Sequence, residues 1–394
     1  MAIDVMLPYY GDVGHFKKAV DSVLGQSYGD FRLIVVDDGY PDPEPARYMA
    51  EIVARDPRVS YEKNETNLGA NGNYRKCVEM VTAPIVVIMG ADDIMLSNYL
   101  QVVADGFAAV PDAAVMEVGV SVIDEHGAPV RGLSDSVKSF TTPKADGRTV
   151  LHGEKLMTSL MHGNWTYFPS LAWNSEWIRR IGFREGLDVV QDLALLVDVI
   201  PGGGHMVYDP TLAFLYRRHS ASDSSVRALD GRRFDEEARF FAGEADAFAA
   251  RGWKSAERAA RLHLTSRLNA LSLLPTAARA GKLAEGGKKL LGHTFRTRGR
   301  PAYRRTIATV GPTSRTSNSA GSANCRGRKT ISSRVLFRSS GITLTVAGKT
   351  HRLDPFRWST STSGPRKGPE SSASARSAGE SASAHARISS SLAS

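Results

Sequence analysis

The chain contains few cysteines for its length. Its 394 residues include only two, Cys77 and Cys325, too few for a disulfide framework or a cysteine-based metal knuckle. Cys77 lies at helical spacing from Tyr74, Val78 and Val81, so we expect it in a hydrophobic core. Small disulfide-stabilised scaffolds and zinc knuckles are therefore excluded.

Long apolar runs are also absent. No stretch approaches the roughly 18 apolar residues that a membrane-spanning helix needs. The N-terminus, Met-Ala-Ile-Asp-Val, lacks the basic and apolar segments of an export signal. We expect a cytoplasmic protein, with peripheral attachment to the inner face of the membrane as an alternative.

Acidic residues are scarce at the end of the chain. Residues 293–394 hold 18 of the 50 lysines and arginines but only 3 of the 41 acidic residues. This segment carries a formal charge of +15, which leaves the rest of the chain at −6. Ten of the last 24 residues are serine, and such a composition cannot bury enough apolar surface to offset the entropy of ordering. We predict a disordered basic tail over residues 294–394, either native or an out-of-frame extension, and we expect no nucleic-acid partner.

The first 124 residues alternate between strand-like and helix-like hydrophobic patterns. The strand patterns cover residues 3–7, 31–36, 59–62, 85–89 and 113–123. Such alternation predicts parallel βαβ units and an α/β fold. The pattern weakens over residues 125–165, and residues 232–292 return to helical periodicity with much Ala, Arg and Glu. We therefore predict an α/β domain over residues 1–225 and a helical region over 226–293, followed by the tail.

Two adjacent carboxylates follow the most apolar of these strands. Residues 85–89 are Ile-Val-Val-Ile-Met, and Asp92 and Asp93 come just after them. Ligands bind at the carboxyl ends of strands in open α/β sheets, and paired carboxylates there suit a hard divalent cation. A solvated turn is the alternative.

Four segments in this order resemble the family 2 glycosyltransferases. They begin with Val-Met-Leu-Pro-Tyr-Tyr at 5–10 and the helical segment at 19–28, and continue with Leu-Ile-Val-Val-Asp-Asp-Gly at 33–39, Asn-Glu-Thr-Asn-Leu-Gly-Ala-Asn-Gly-Asn at 64–73 and Gly-Ala-Asp-Asp at 90–93. The resemblance covers roughly residues 3–220. It implies the GT-A fold, a Rossmann-like and mostly parallel sheet flanked by helices, here with a C-terminal helical appendage. It also implies a nucleotide-diphosphate sugar as donor.

The resemblance further implies metal and nucleotide ligands. It assigns Mg²⁺ or Mn²⁺ to Asp93, with His219 completing the metal shell. The family pattern has another Asp two residues before Asp92, and here that position is Gly90. The residues implied for the nucleotide are Pro8, Tyr9, Asp38, Asn67, Gly69, Asn73 and Asp92. Turn formation by Asp38 and helix capping by the 64–73 loop are the structural alternatives.

The same resemblance places a general base at the start of a later helix. The family has a Glu-Asp pair there, and this chain has Gln191-Asp192. Asp192 is the predicted base, worth about 10²–10⁴-fold in rate. Asp188 is its rival, and stabilisation of a helix N-terminus is the structural alternative for either carboxylate.

Residues on either side of this helix are assigned to the substrates. Arg217 and Arg218, in a segment like the family's flexible loop, are predicted to pair with the diphosphate. Acceptor or donor-sugar recognition is assigned to His162, Asn164 and Trp165, although Trp165 fits a core position equally well.

These assignments predict an inverting glycosyltransferase of the hexosyltransferase type. We expect a UDP-sugar or another nucleotide-diphosphate sugar as donor and a glycan or lipid-linked acceptor, in cell-surface polysaccharide or glycan synthesis. A sugar nucleotidyltransferase and a degenerate, non-catalytic binding protein are the alternatives. The first normally opens with a Gly-rich phosphate loop, which residues 8–14 lack.

Overall fold

The computed structural model describes residues 1–130, 132–218, 232–279, 287–295, 342–346 and 349–353. The chain forms two units, residues 1–309 and 310–394. In the second, β10 (Ile342–Val346) and β11 (Lys349–Leu353) form an antiparallel hairpin. The predicted tail otherwise lies outside the described residues.

The first unit is built on a nine-stranded sheet. Its N-terminal half is parallel and has the order β3-β2-β1-β4. These strands are β1 (Ile3–Tyr9), β2 (Phe31–Asp37), β3 (Val59–Lys63) and β4 (Ile85–Ile88). All four coincide with predicted strands, with small differences at their ends.

The second half of the sheet mixes directions. The long strands β6 (Ala113–Ile123) and β9 (His205–Arg217) pair in parallel, while the short strands β5 (Ile94–Met95), β7 (Thr149–Leu151) and β8 (Ala172–Asn174) pair antiparallel with their neighbours. Most residue pairs across the sheet are still parallel, so the predicted α/β class with a mostly parallel sheet is confirmed.

Helices cover both faces of this sheet. Between the strands lie α1 (Val13–Leu24), α2 (Glu44–Val53), α3 (Gly69–Met80), α4 (Tyr99–Ala109), α5 (Leu133–Thr141), α6 (Gly153–His162), α7 (Ser175–Ile181) and α8 (Gln191–Val199). Alternate residues of β1 enter different cores, with Val5 and Leu7 in one and Met6 in the other. A strand buried on both faces needs an apolar residue at nearly every position. This requirement explains the continuous apolar runs of the sequence.

The middle of the chain contains elements that the hydrophobic pattern did not indicate. Trp173 lies in β8, just before α7, and pairs with Val86 and Val115 of the neighbouring strands. Residues 125–165 showed little pattern, yet they contain α5 and α6. Short elements such as these are stabilised by contacts to the sheet, so local periodicity is a weak signal for them.

The C-terminal helices extend the hydrophobic core past residue 225. They are α9 (Arg232–Arg251), α10 (Lys254–Leu262), α11 (Leu264–Ser272), α12 (Leu274–Arg279) and α13 (Lys288–Phe295). Phe240 and Phe248 of α9 belong to the same buried cluster as residues of β4 and α8. Arg184 also binds Asp198 at 2.7 Å and Glu244 of α9 at 2.7 Å. The predicted helical region therefore shares its core with the α/β part.

The length and hydropathy of these helices bear on the prediction that the chain has no membrane-spanning segment. Across the described ranges, none is both long and apolar enough to cross a bilayer. Peripheral attachment stays a prediction.

His263, at the junction of α10 and α11, is a buried histidine in an unusual backbone conformation. Its φ is 27° and its ring stacks on Phe241 at 5.0 Å between centroids. Burial lowers the pKa of His263 to about 4, against about 6.5 in an unfolded chain. Between these values the unfolded state binds more protons, so stability should fall as the pH falls from about 6.5 towards 4.

We predict that His263→Asn weakens this acid sensitivity. Asparagine tolerates positive φ better than most residues and has no proton to gain in this range. Between pH 7 and pH 5 the Tm of the variant should fall by about 2–4 °C less than that of the wild type. Thermal unfolding followed by circular dichroism at both pH values measures the difference, and an equal fall would contradict the prediction.

Candidate functional site

The Asp92-Asp93 turn lies just after β4, at the edge of the sheet where ligands are expected. Asp93 is 1% exposed, and its Oδ1 accepts a hydrogen bond from the backbone N–H of Arg217 at 2.7 Å. Its Oδ2 is buried and has no hydrogen-bond partner among the residues that the structure describes. Burial, and then the charge of Asp92, raise the pKa of Asp93 well above its usual range. An unpartnered buried carboxylate oxygen is costly, so its position suggests a ligand.

Because Gly90 has no Cβ, it leaves space for the side chains of Asp92 and Asp93. A Cβ on Gly90 would lie 2.5 Å from Asp93 Oδ2 and 3.0 Å from Asp92 Oδ1. The family pattern has an aspartate at this position, so the sequence indicated that one acidic contact is missing here. In this arrangement it lets both carboxylates fold over the main chain.

Arg217 holds the turn from the end of β9. Its Nε donates to the carbonyl of Asp92 at 2.7 Å, and one terminal nitrogen donates to the carbonyls of Asp124 at 2.8 Å and Glu125 at 3.2 Å. The side chain is 3% exposed. This differs from the predicted role in diphosphate binding, because the guanidinium is buried and engaged by main-chain oxygens.

Arg218 has the more open position. It is 38% exposed and donates to Asp135 at 2.6 Å, while its Nε has no partner within the described ranges. His219 lies outside the described residues. Of the two predicted diphosphate ligands, Arg218 is therefore the more exposed.

The second predicted motif is a hydrogen-bonded network around Asn64. Its side-chain nitrogen donates to Asp38 at 2.8 Å and to Asn73 at 3.1 Å, and its oxygen accepts from Lys76 at 2.8 Å. Asp38 also accepts from the backbone N–H of Leu68 at 2.8 Å. The loop that contains Asn67 and Gly69 is thereby fixed against the end of β2.

Asn73 takes part in that network with both ends of its amide. Besides accepting from Asn64, it donates to the carbonyl of Val36 at 2.9 Å. Asn67 accepts from the backbone N–H of Gly69 at 2.9 Å, and Gly69 has a φ of +72°. These contacts give Asn73 and Asn67 a positioning role. The helix α3 begins within this loop, at Gly69.

Three tyrosines lie at the end of β1, where the base of a nucleotide was predicted. Tyr9 and the preceding Pro8 are the last residues of the strand. The ring of Tyr9 is buried against Phe16, at 4.1 Å between centroids, so it is part of the core. Tyr10 is 58% exposed and lies edge-on to Tyr40 at 5.3 Å. The exposed ring at this strand end is therefore that of Tyr10 and not that of Tyr9, the predicted residue.

Asp192 lies in the first turn of α8. Its Oδ2 accepts from Asn164 at 3.0 Å and its Oδ1 from the backbone N–H of Leu193 at 2.7 Å. Burial raises the pKa of Asp192, against the lowering effect of these hydrogen bonds and of Lys138. A raised pKa makes a carboxylate a better proton acceptor. The neighbouring Gln191 has a buried Oε1 with no partner in the described part of the chain.

The segment before α8 is held by the C-terminal helices. Glu236 of α9 accepts hydrogen bonds from the backbone N–H groups of Asp188, Val189 and Val190, the shortest of them 2.7 Å. Asp188 itself accepts from Asn71 at 2.8 Å. The rival candidate for the base is thus bound to α3.

Tyr216 connects the two acidic parts of the site. Burial raises the pKa of Tyr216, and the carboxylates of Asp93, Asp92 and Asp192 raise it further. The contacts around this ring agree with these effects. The next residue, Arg217, binds Asp93, and the ring of Tyr167, three residues after the Asn164 that binds Asp192, lies 5.0 Å from the ring of Tyr216. The structure therefore brings together the predicted metal site and the predicted base, which are about 100 residues apart in the sequence.

Sequence reasoning missed a further cluster beside Asp192. Lys138 donates to the carbonyl of Thr166 at 2.5 Å and lies 3.9 Å above the ring of Tyr167. Burial lowers the pKa of Lys138 to about 8 and raises that of Glu117 to about 8. No motif marked these residues, since α5 was not predicted and Glu117 stands in an apolar strand pattern.

The remaining predicted sugar ligands are spread out. Trp165 is 1% exposed and donates from its ring nitrogen to Ser159 at 3.2 Å, so it is a core residue. His162 is exposed at the end of α6, where its carbonyl accepts from Thr265. Only Asn164 directly contacts the candidate base.

The acidic turn offers oxygen ligands to a divalent cation. The unpartnered Oδ2 of Asp93 beside a second carboxylate suits the oxygen preference of Mg²⁺ or Mn²⁺. Within the described ranges, no group of three or more His, Cys, Asp or Glu side chains could hold such an ion. The turn thus fits a cation that takes its other ligands from outside these side chains.

Known proteins resemble this chain over its N-terminal half. Residues 4–158 match the family described as "Glycosyl transferase family 2". An uncharacterized protein of Sinorhizobium fredii is 26% identical over 50% of this chain and 20% of its own length. The succinoglycan biosynthesis protein ExoO of Rhizobium meliloti is 23% identical over 56% of this chain and 62% of its own length. The chain thus spans less than two thirds of both relatives.

A solved structure, S. aureus TarS 1–349 in complex with UDP-GlcNAc, has a TM-score of 0.47 to this chain at 14% identity. The match covers 74% of this chain and 91% of that one.

Arg217 is buried and Arg218 is partly exposed. Their removal should therefore lower the free energy of unfolding by different amounts. Arg217→Met leaves three main-chain carbonyls without their donor and should lower the free energy of unfolding by about 2–3 kcal/mol. Arg218→Met, the matched control, removes an ion pair whose arginine is 38% exposed. It should cost about 1 kcal/mol, because Asp135 keeps its hydrogen bonds from Gly132 and Tyr167. Urea denaturation followed by tryptophan fluorescence measures both, and equal losses would show that Arg217 has no special structural role.

Proposed function

We propose that this chain, whose residues 4–158 match glycosyl transferase family 2, transfers a sugar from a UDP-sugar to an acceptor hydroxyl with inversion. One observation carries the proposal. Three carboxylates, Asp92, Asp93 and Asp192, act electrostatically on one half-buried ring, Tyr216. One of their oxygens, Asp93 Oδ2, lacks a partner among the described residues. A metal site beside a candidate base is the arrangement that this transfer needs.

The donor nucleotide lies along the carboxyl end of the parallel strands in this proposal. Asp38 and the loop fixed by Asn64 contact the base and the ribose. Next to them, the exposed ring of Tyr10 lies edge-on to the partly buried ring of Tyr40. Asp92 contacts the ribose and Asp93 holds Mg²⁺ or Mn²⁺. Arg218 pairs with the diphosphate, which a guanidinium recognises well.

The divalent cation, when bound, would neutralise negative charge on the departing diphosphate. Residues of the chain bind and orient the substrates and accept the proton. Asp192 accepts the proton of the acceptor hydroxyl, whose oxygen forms a bond to the anomeric carbon while the bond from that carbon to the diphosphate breaks. Asn164, at 3.0 Å, orients Asp192 for this step.

The acceptor belongs to polysaccharide or glycan synthesis in this proposal. The relative from Rhizobium meliloti, described as a succinoglycan biosynthesis protein, supports this assignment. A glycine at position 90, where the family pattern has an Asp, does not by itself favour the non-catalytic alternative, because a Cβ there would lie 2.5 Å from Asp93 Oδ2 and 3.0 Å from Asp92 Oδ1.

We predict that Asp192→Asn lowers turnover about 10²–10⁴-fold while UDP binding changes less than twofold. The assay is release of UDP from a panel of UDP-sugars by the full chain with Mn²⁺, with binding measured by calorimetry. Because burial raises the pKa of Asp192, wild-type activity should fall as the pH drops through that raised pKa, where the base gains a proton. Asp188→Asn is the control and should stay near wild type. No UDP release by the wild type from any donor, or loss of activity only in Asp188→Asn, would contradict the proposal.

Gly90→Ala should disturb the acidic turn without unfolding the protein. Its Cβ would collide with Asp93 Oδ2, so the carboxylate must move, and we expect UDP release to fall about tenfold or more. Gly29→Ala is the control, because a Cβ there meets nothing within 4 Å. A wild-type rate in Gly90→Ala, at unchanged Tm, would count against Asp93 as the metal ligand.

A further inference from the structure

A large cavity lies beside the candidate base and has no role in donor binding as proposed above. It is about 1010 Å³ in volume and lies between β6, the end of α5 and the turn within β9 at Pro210. Ligand pockets commonly measure about 300–1,000 Å³, so this cavity could hold a ligand of more than one sugar unit.

A chain of hydrogen bonds joins the cavity to Asp192. Asn164 donates to Asp192 at 3.0 Å and accepts from the hydroxyl of Thr166 at 2.8 Å. The carbonyl of Thr166 accepts from Lys138, which lines the cavity, at 2.5 Å. Tyr167, another lining residue, has its ring 5.0 Å from that of Tyr216. The cavity therefore lies next to Tyr216, whose pKa the three carboxylates raise.

The lining mixes aromatic rings with hydrogen-bonding groups of both kinds. The aromatic members are Trp165, Tyr167 and Tyr208. Glu117 is 2% exposed, and its Oε2 has no partner among the described residues. Sugar rings present apolar faces to aromatic side chains, and their hydroxyls both donate and accept hydrogen bonds.

The charges of the lining do not favour an anionic ligand. The charged lining residues are three carboxylates and two lysines, Glu117, Asp135, Asp146, Lys138 and Lys144. Recognition of phosphate or carboxylate groups usually uses clustered cations, above all arginines. Burial raises the pKa of Glu117 to about 8, so at neutral pH two charged carboxylates balance the two lysines. The lining therefore has no excess of cations to recognise a phosphorylated or uronic acid chain.

We propose that this cavity binds the acceptor and that the acceptor is an uncharged saccharide of at least two sugar units. Its terminal hydroxyl points towards Asp192, and its inner sugars pack against Tyr167 and Tyr208. This inference rests on the proposed function and adds the location and the chemical class of the second substrate.

The test uses the full chain with Mn²⁺ and UDP on an array that carries neutral and acidic oligosaccharides. Ser121 of β6 lines the cavity and is partly exposed, so Ser121→Trp should fill it. We expect the wild type to bind neutral glycans and Ser121→Trp to lose that binding about tenfold or more, while its UDP-sugar hydrolysis is unchanged. Ser60→Trp is the matched control, because Ser60 is exposed on the edge strand β3. Tyr167→Ala is a second variant and should also weaken glycan binding.

Three results would overturn the inference. They are binding of acidic glycans only, binding that survives in both Ser121→Trp and Tyr167→Ala, and no glycan binding at all by a protein that hydrolyses its donor. A protein that neither hydrolyses nor binds any UDP-sugar would instead refute the proposed function. Thermal unfolding of each variant separates loss of the cavity from loss of the fold.

Discussion

The buried guanidinium of Arg217 is the contact on which the candidate site depends most. It lies at the end of β9 and binds main-chain oxygens of two separate segments, the acidic turn after β4 and the residues that follow β6. Its backbone N–H holds Asp93 at the same time. A single residue thus sets the distance between three strand ends. A guanidinium suits this position because its five donors form a rigid fork that a flexible lysine cannot reproduce.

A second set of contacts places the candidate base. Asp192 lies in the first turn of α8. Contacts from α9 and from Asn164 fix the orientation of that helix. Glu236 of α9 accepts from three successive amides before the helix, and Asn164 binds the carboxylate itself. Because Glu236 satisfies amides that would otherwise lack partners, it fixes the chain direction just before the base. The acidic turn and the base are therefore positioned by different elements, which meet at Tyr216.

Much of the α/β half could be predicted from the sequence. Buried parallel strands have continuous apolar patterns, and the carboxylates at their ends mark the sheet edge, so β4 and Asp92-Asp93 were recognisable locally. The role of Arg217 was not, because an arginine after a strand looks the same whether it faces a phosphate or a carbonyl. Tyr10 and Tyr9 could not be told apart for a related reason: the side of the strand end on which each ring lies depends on contacts to Phe16 and Tyr40.

The cluster of Lys138 and Glu117 shows a second limit. Its members come from α5 and β6, and their altered pKa values arise from burial between elements that are remote in the sequence. No spacing rule connects a lysine in a weakly patterned segment to a glutamate in an apolar strand. Such sites are recognisable only after the chain has folded, because desolvation depends on what covers a residue.

The shared core has a practical meaning for dividing this protein into fragments. The family match ends at residue 158, yet Asp192 comes later, and the cluster around β4 includes Phe240 and Phe248 of α9. A fragment cut at the end of the match would leave the face of the sheet that α8 and α9 cover open to water, and would expose apolar surface prone to aggregation. The smallest piece that keeps this core and the candidate base together must continue through α9 and α10. The segment that matches the family and the segment that carries the candidate base therefore share one hydrophobic core.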